Sequence, residues 1–266
     1  MFNSLKENKY DALVKNYIET KTRYRFIKQL GSGSYGVAYL IEELSSGEKF
    51  VLKRMKAKHR KSRKLREKFH LEIQLLQEIG LPNTPSVISQ GVIEEVPFYI
   101  MDYIGGQTFE QSIFIEGNTF SVEQSLKIAS QLLENVILFH QKGIVHRDLR
   151  IPNILMKDEQ LYIIDFGLAV YMKCDVDFNE IDNPKRAENH ISDLYFIGHF
   201  LLFLLYSNYS PTQKKERSWQ EELQLPPSLI EYIEHLLIIR EPFNSAVDAL
   251  RSLQCQILEH SLVLTD

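Results

Sequence analysis

Short apolar runs bounded by polar turns fill much of the first hundred residues, and longer helical periodicities follow them. Within the first part, Leu65, Phe69, Ile73 and Leu76 share one face at helical spacing, which predicts a helix from about Ser62 to Ile79. Three further helices are predicted downstream, at residues 121–141, 192–207 and 229–239. Strands with one helix, followed mainly by helices, are typical of the α+β fold class.

A glycine-rich segment, Gly31–Val37 (GSGSYGV), joins two of the apolar runs and predicts a strand, a turn and a second strand. Glycines allow a backbone to approach phosphate oxygens closely and to adopt positive φ. No helix follows directly, so the segment is not the dinucleotide-binding fingerprint, which opens a helix. Taken alone, the pattern fits an ordinary hairpin turn equally well.

Two acidic motifs point to chemistry on phosphate. The first, His146–Asn153 (HRDLRIPN), contains Asp148, and the second, Asp165–Gly167 (DFG), begins 17 residues after that aspartate. Asp148 can accept or orient a hydroxyl proton, whereas Asn153 and Asp165 offer hard oxygen ligands for a divalent cation. The apolar runs 154–156 and 161–164 predict a hairpin that brings both motifs to one end of a small sheet. The spacing indicates phosphoryl transfer to a hydroxyl.

A lysine and a glutamate upstream are candidates for an ion pair. Lys53 ends the short apolar run Phe50–Leu52, and Glu72 lies at the border of the apolar face of the helix predicted at 62–79. From that border the carboxylate can turn inward towards Lys53. A solvated glutamate on a charged helix is the alternative that the sequence leaves open.

Together these motifs resemble the eukaryotic-type (Hanks-type) serine/threonine protein kinase family over about residues 25–255, and more narrowly the compact soluble kinase-like proteins of Gram-positive bacteria. The resemblance implies a bilobal protein-kinase-like fold, with a small antiparallel-sheet lobe containing one helix and a larger, mainly helical lobe. The expected parts are an N-terminal helical extension, the two lobes of a catalytic domain spanning 25–258, and a C-terminal tail, at residues 1–24, 25–102, 103–258 and 259–266 respectively.

By the same resemblance, Asp148 would be the catalytic base and Arg150 a clamp on the transferred phosphate. Lys53 would hold the α- and β-phosphates of ATP, and Glu72 would fix Lys53. Asp193 would anchor the catalytic loop. The expected function is transfer of the ATP γ-phosphate to a serine or threonine hydroxyl of a protein.

The resemblance also implies which residues hold the nucleotide and the ion. Asn153 and Asp165 would bind Mg²⁺, with Mn²⁺ as an alternative ion. In the glycine segment and the strand before it, the nucleotide-binding positions would be Leu30, Gly31, Ser32, Gly33, Ser34, Tyr35, Gly36 and Val37. Lys53 would join them, together with Met101, Asp102 and Ile104 of the hinge and with Leu155 as the floor beneath adenine.

The chain departs from the family between the two motifs and the next helix. Only 25 residues separate Gly167 from Asp193, and they contain no Ala-Pro-Glu. Tyr171 and Ser192 are the hydroxyl residues of this stretch, although Arg147 commonly receives an activation-loop phosphate in the family. Arg150 replaces the more usual lysine. Two alternatives therefore stay open, namely a nucleotide-binding pseudokinase that regulates a partner and a kinase for a small molecule.

Charge and cysteine content add two further expectations. The segment Lys53–Lys68 carries ten Lys or Arg and one acid, within a chain of net charge −4. It is either a solvated helix face with a basic lead-in or a contact for a polyanion such as DNA, an anionic membrane or an acidic partner. Cys174 and Cys255 lack metal-ligand spacing and are expected to be reduced thiols. With no signal peptide or membrane-length apolar run, a cytoplasmic protein is expected.

Overall fold

The computed structural model describes residues 2–173, 181–210 and 217–263, and the chain divides into two compact units, residues 1–105 and 106–266. We refer to them as unit 1 and unit 2. Cys174 lies outside the described residues, and Cys255 is an exposed free thiol. In the described part of the chain, every helix is too short or too polar to span a bilayer.

Unit 1 consists of a sheet flanked by two helices. Its elements in chain order are α1 (Phe2–Lys21), β1 (Tyr24–Ser32), β2 (Gly36–Glu43), β3 (Lys49–Met55), α2 (Arg63–Ile79), β4 (Val87–Ile93) and β5 (Val96–Asp102). The five strands pair antiparallel in the order β1-β2-β3-β5-β4. The predicted antiparallel sheet with its helix is therefore confirmed.

Helix α2 follows the predicted pattern closely. The Ser62 side chain caps its start by accepting a hydrogen bond from the Leu65 N–H, and Gly80 ends it in the left-handed region at φ 51°. Its apolar face is buried, and Glu72 is buried with that face. The helix that the sequence predicts at 62–79 thus begins one residue later, after its cap.

Helix α1 is attached to the sheet by apolar contacts and by one buried cation. Val14 and Ile18 belong to the apolar core of the sheet. Arg54 on β3 is fully buried, and its Nη1 donates to Glu7 Oε2 at 2.9 Å while its Nη2 forms an ion pair with Asp11. Tyr39 adds a third contact, because its hydroxyl accepts from Arg54 Nε at 2.7 Å. A helix outside the sheet thus neutralises a charge inside it.

Unit 2 is mainly helical, with short strands around its first helices. Its helices are α3 (Phe109–Phe114), α4 (Val122–Gln141), α5 (His190–Tyr206), α6 (Trp219–Glu222), α7 (Pro227–Leu236) and α8 (Ala246–Val263). Its strands are β6 (Gln107–Thr108), β7 (Ile144–Val145), β8 (Ile154–Lys157), β9 (Gln160–Ile163) and β10 (Val170–Tyr171). They form a three-stranded sheet β6-β8-β9 and a pair β10-β7.

The helices of unit 2 differ from the predicted ranges at their ends. Helix α4 has Ser121 as its cap and ends at Gln141, as predicted. Helix α5 begins two residues earlier than predicted, at His190, because the Asn189 side chain accepts from the Ile191 N–H. Helix α7 ends at Leu236 rather than at residue 239, since Ile238 adopts a left-handed φ of 60°, which a helix does not allow.

Candidate active site

In unit 1, β3 and α2 bring Lys53 and Glu72 together. Lys53 Nζ lies 2.5 Å from Glu72 Oε1, and their side chains are 15% and 6% exposed. Tyr99 on β5 is the register partner of Lys53, and its hydroxyl also donates to Glu72 Oε1, at 2.9 Å. The inward orientation of Glu72 is therefore present, and the solvated alternative is wrong. A buried carboxylate with two donors fixes the position of the ammonium group.

The glycine segment forms the turn between β1 and β2. The Gly33 N–H donates to the Gly36 carbonyl at 3.0 Å, and none of Gly31, Gly33 and Gly36 lies in the left-handed region. Gly36 is required for a close approach, because a Cβ there would lie 3.0 Å from the Arg54 carbonyl oxygen, whereas one on Gly31 or Gly33 would meet no atom within 4 Å. The open face of the turn suits a phosphate chain.

The other nucleotide positions of unit 1 fall into two groups. Val37 and Met101 are buried, whereas Leu30 and Tyr35 are exposed by 41% and 44%. Asp102 ends β5, and its N–H already donates to the Ser86 carbonyl at 3.1 Å. The N–H of Asp102 is therefore not available to an adenine edge. Of the backbone groups expected to bind adenine at residues 102–104, Asp102 can offer only its carbonyl oxygen.

In unit 2, the Asp148 carboxylate is held by two neighbours in the chain. Arg150 contacts both carboxylate oxygens, through Nε to Oδ1 and through Nη2 to Oδ2 at 2.9 Å. Asn153 Nδ2 donates to the same Oδ2 at 2.8 Å and to the Asp148 carbonyl at 2.9 Å. Hydrogen bonding to Asp148, followed by its nearby charge, raises the pKa of Arg150. The aspartate is thus pre-oriented with its carboxylate almost buried, while Arg150 reaches solvent.

The β8–β9 hairpin connects Asn153 and Asp165, as predicted. Asn153 precedes β8, Asp165 follows β9, and the Ile164 N–H donates to the Asn153 carbonyl at 2.9 Å. Asp165 is exposed, with a left-handed φ of 62°, and its Oδ1 accepts from the Gly167 N–H at 3.3 Å. Because Asn153 uses its amide nitrogen on Asp148, its amide oxygen is the atom that suits a cation.

These two oxygen donors fit the chemistry of Mg²⁺. Mg²⁺ is usually held by one or two carboxylates together with substrate phosphates, and it keeps several waters. No cluster of three or more His, Cys, Asp or Glu able to hold a metal occurs within residues 2–173, 181–210 and 217–263. An ion shared with phosphates needs no such cluster, so the donor set suits a metal that arrives with a nucleotide.

Asp193 anchors the backbone of the turn that carries Asp148. It is fully buried in the first turn of α5, and its carboxylate accepts from the N–H groups of His146 at 3.0 Å and Arg147 at 2.7 Å. His140 Nε2 lies 3.0 Å from the same carboxylate. Burial pushes the pKa of Asp193 upwards, but the hydrogen bond from His140 and the bond from the Arg147 N–H more than offset it, so the pKa lies below its ordinary value. Asp193 therefore stays an anion and holds Arg147 in its left-handed conformation, φ 64°.

His146 has a structural part in this turn. Burial lowers the pKa of His146 despite the carboxylates of Asp193, Asp148 and Asp165, so the ring is neutral. Its Nδ1 accepts from the Asp148 N–H at 3.2 Å, and its ring centroid lies 4.5 Å from that of Phe166. His146 thus connects the Asp148 turn to the Asp165–Gly167 motif through a ring contact.

Two contributors escaped the sequence reasoning. Tyr99 completes the Lys53–Glu72 contact, and His140 on α4 completes the Asp193 anchor. A signal for Tyr99 existed, because pairing of the runs containing Lys53 and Tyr99 would have placed the two side chains on one face. His140 had no such signal, since 53 residues separate it from Asp193.

The comparisons with known proteins agree with this geometry. The sequence model of the protein kinase domain matches residues 24–196. The chain is 34% identical to the probable serine/threonine-protein kinase YbdM of Bacillus subtilis (strain 168) over 240 aligned residues. The alignment covers 90% of this chain and 91% of YbdM. Two further relatives are matched over only part of their own length. Calcium-dependent protein kinase 33 of Arabidopsis thaliana is 31% identical over 60% of this chain and 32% of its own length. The probable serine/threonine-protein kinase pknA2 of Bifidobacterium longum (strain NCC 2705) is 29% identical over 55% of this chain and 20% of its own length.

Proposed function

This chain belongs to the protein kinase family and catalyses ATP-dependent phosphoryl transfer to serine or threonine in proteins, and we propose that Asp148 is the base of that reaction. The observation that carries this assignment is the fixation of the Asp148 carboxylate by Arg150 and Asn153, on a turn whose backbone Asp193 holds. Such a group accepts the hydroxyl proton of the acceptor as the new O–P bond forms.

In unit 2, Arg150 would act on the transferred group. Its guanidinium is 56% exposed beyond the Asp148 carboxylate and presents a planar set of donors. We propose that it contacts the γ-phosphoryl oxygens and stabilises the charge that develops on them. Leu155, which is buried at the start of β8, would contribute an apolar surface for adenine.

In unit 1, the Lys53–Glu72 pair would hold the nucleotide. With Glu72 neutralising and orienting it, the Lys53 ammonium group is preset to bind the α- and β-phosphates. The backbone of residues 31–36 would cover the phosphates, with Ser32 and Ser34 at the turn, and Val37, Met101 and the 102–104 backbone would hold adenine. Ile104 would supply the N–H that Asp102 does not have available.

Protein kinases use ATP with a divalent metal ion, and we propose Mg²⁺ for this chain, held by Asn153 and Asp165. When bound, the ion neutralises phosphate charge. The two residues differ in kind, since one supplies a neutral amide oxygen and the other an exposed carboxylate. We expect Mn²⁺ to substitute, because it accepts the same oxygen donors.

The test uses the purified full chain with labelled ATP, first alone and then with a cell lysate from which an acceptor protein is identified. Asp165→Asn should abolish metal-dependent transfer, whereas Asp148→Asn should lower turnover by about 10²- to 10⁴-fold and spare ATP binding. Single-turnover transfer separates an active kinase from a pseudokinase. Wild-type rates for Asp148→Asn, in self-labelling and on the acceptor, would show that the assignment of the base is wrong.

Two arginines of the basic segment Lys53–Lys68 have acidic neighbours. Arg63 pairs with Glu67 at 2.7 Å and Arg60 with Glu95 at 3.6 Å. Arg54 and Lys53 are also paired. The lysines that remain as candidates are Lys56, Lys58, Lys61 and Lys64, of which the last three are exposed.

We propose that these four lysines bind polyanions weakly, and a salt-dependent affinity for DNA tests this proposal. Replacing all four by glutamine should remove binding at low salt, and replacing Arg63 and Arg60 should change it less. If DNA does not bind at low salt, or binds the glutamine variant equally well, the segment is a solvated face. We also propose a cytoplasmic location, favoured by the sparse cysteines and testable by cell fractionation.

A further inference from the structure

Glu188 contacts two cations from different parts of the chain, one before Gly167 and one in the short segment after it. Its Oε2 lies 2.7 Å from Lys173 Nζ, and its Oε1 lies 3.8 Å from Arg147 Nη1. The backbones of Lys173 and Glu188 are also joined, because the Lys173 N–H donates to the Glu188 carbonyl at 2.7 Å. A single carboxylate thus connects the stretch after β10 with the arginine that precedes Asp148.

The Arg147 side chain has a second neighbour in the same segment. Its Nη2 donates to the Arg186 carbonyl at 2.9 Å, while its Nε is buried without a hydrogen-bond partner in the described part of the chain. The side chain is 17% exposed, against 36% for Glu188. A guanidinium this enclosed needs a nearby anion, because burial without one is costly. Among the residues that the structure describes, the Glu188 carboxylate lies within ion-pair distance of it.

The backbone of Arg147 gives this contact a consequence for the site. Its φ of 64° lies in the left-handed region, which costs a non-glycine residue about 1–3 kcal/mol unless surrounding contacts enforce it. Asp193 holds the backbone N–H of Arg147, and Glu188 together with the Arg186 carbonyl holds its side chain. The next residue is Asp148. Any loosening of Arg147 would therefore change the direction of the catalytic carboxylate.

Hydroxyl groups that could carry a phosphate are scarce in this segment. From residue 168 to residue 191, Tyr171 is the one side chain with a hydroxyl group. Ser192, the next one, is fully buried, and its hydroxyl donates to the Lys185 carbonyl at 3.3 Å. A phosphate on serine or threonine cannot form in this stretch, whereas the Glu188 carboxylate is always present.

We propose that Glu188 is a positioning residue for phosphoryl transfer, which holds Arg147 and through it Asp148, and so makes the activity independent of phosphorylation between Leu168 and Ile191. The inference rests on the proposed role of Asp148 as the base. In this proposal Glu188 acts through Arg147, and Lys173 holds its carboxylate from the other side.

The experiment compares Glu188→Gln with Asp182→Asn, which removes the same charge from an exposed position in the same segment. Glu188→Gln should lower the maximal transfer rate about tenfold, between the effects of an exposed ion pair and of a buried pair that loses one partner. The KM for ATP should match that of Asp182→Asn. The melting temperature should fall, because Arg147 loses its anion, so the rates are compared per folded molecule at a temperature at which both variants are folded. Glu188→Asp, which keeps the charge on a shorter chain, should give an intermediate rate and serves also if Glu188→Gln fails to fold.

A double-mutant cycle identifies the route of the effect. In an Arg147→Met background, Glu188→Gln should cause no further loss, and treatment of the wild-type chain with a protein phosphatase should leave its rate unchanged. Equal losses in both backgrounds, an unchanged rate in Glu188→Gln, or a fall after phosphatase that accompanies the loss of phosphate from Tyr171 would each overturn the proposal. Asp148→Asn in the same assay separates the two hypotheses. A severe loss there with no effect at Glu188 rejects this inference alone, and no loss there rejects the proposed base.

Discussion

Arg54 in unit 1 and Asp193 in unit 2 are both fully buried charges, yet their partners differ in kind. Arg54 is neutralised by side chains of α1, a helix that precedes the sheet, whereas Asp193 is bound by two backbone N–H groups and by His140. Charged side-chain partners fix one element against another, and backbone partners fix a local conformation. The first arrangement therefore supports the stability of the fold, and the second supports the conformation of the turn that carries Asp148, the proposed base.

The largest effect is expected from removing the partners of Arg54. The double variant Glu7→Gln, Asp11→Asn leaves a buried guanidinium without an anion, which should lower the free energy of unfolding by about 3–5 kcal/mol. Glu19→Gln, on an exposed position of the same helix, should change it by less than about 0.5 kcal/mol. Urea denaturation measures both. Equal values for the two variants would mean that α1 does not stabilise the sheet through Arg54.

Asp193→Asn should act on the reaction more than on the fold. An amide lacks the charge that binds two N–H groups, so the Asp148 turn should loosen and the transfer rate should fall about 10- to 100-fold, as for other groups that orient a reacting residue. The rate at saturating ATP and the unfolding curve are the measurements. A variant that loses stability but keeps the wild-type rate per folded molecule would break the distinction between the two buried charges.

The Lys53–Glu72 pair tests whether a side-chain pair in unit 1 can serve the reaction too. Lys53→Ala and Glu72→Ala should each lower the transfer rate, and the double variant should lose far less than their sum, with a coupling of about 0.5–3 kcal/mol. The reason is that Glu72 acts through Lys53. Additive losses in the rate constants would mean that the two side chains work independently, in spite of their contact.

Lowering the pH should also affect the buried groups of the two units differently. Burial lowers the pKa values of His146, His190 and His199, so these rings are neutral in the folded chain and take up protons on unfolding. The unfolded state then binds more protons below about pH 6.5, and the free energy of unfolding should fall as the pH drops through that value. All three histidines belong to unit 2, whereas Arg54, whose pKa is raised, keeps its charge.

Trp219 lies in unit 2 and is the single tryptophan of the chain, so its fluorescence reports unfolding there. Denaturation curves at pH 7.5, 6.5 and 5.5 give the free energy of unfolding at each pH. Equal stability at all three would show that these histidines do not remain neutral in the folded state.

The smallest effect is expected at Tyr171. This residue is 42% exposed on β10, and its ring is not among the groups that hold Asp148. Tyr171→Phe should retain most of the transfer rate, because no phosphate is required there. A large loss, with phosphate found on Tyr171 of the wild-type chain by mass spectrometry, would contradict this expectation.

Local patterns accounted for the features that local physics determines. Helix α2 was predictable from its apolar face and from the serine at its start, and the β8–β9 hairpin from two apolar runs around a polar turn. The Lys53–Glu72 pair was accessible because one face of a helix and the end of a strand limit where the two side chains can reach. Resemblance to a family supplied what each of these residues does.

Contacts between distant parts of the chain were not predictable in the same way. Asp11 and Arg54 are 43 residues apart. Without knowledge of such a partner, the sequence predicts that an arginine on a strand is exposed. Glu188 follows no periodicity, and its meaning depends on the path of the chain that returns it to Arg147. Helix α8, at Ala246–Val263, was also missed, since its apolar positions are less regularly spaced than those of α2.

The burial of Arg54 bears on how the protein should be produced. The match to the kinase domain begins at residue 24, and a chain expressed from that residue to residue 266 would omit α1. Such a shortened chain would carry an uncompensated cation in its interior and would uncover the sheet surface that Val14 and Ile18 occupy. Poor yield or aggregation of that fragment would then reflect where it was cut, and expression from residue 2 onward should restore a well-behaved protein.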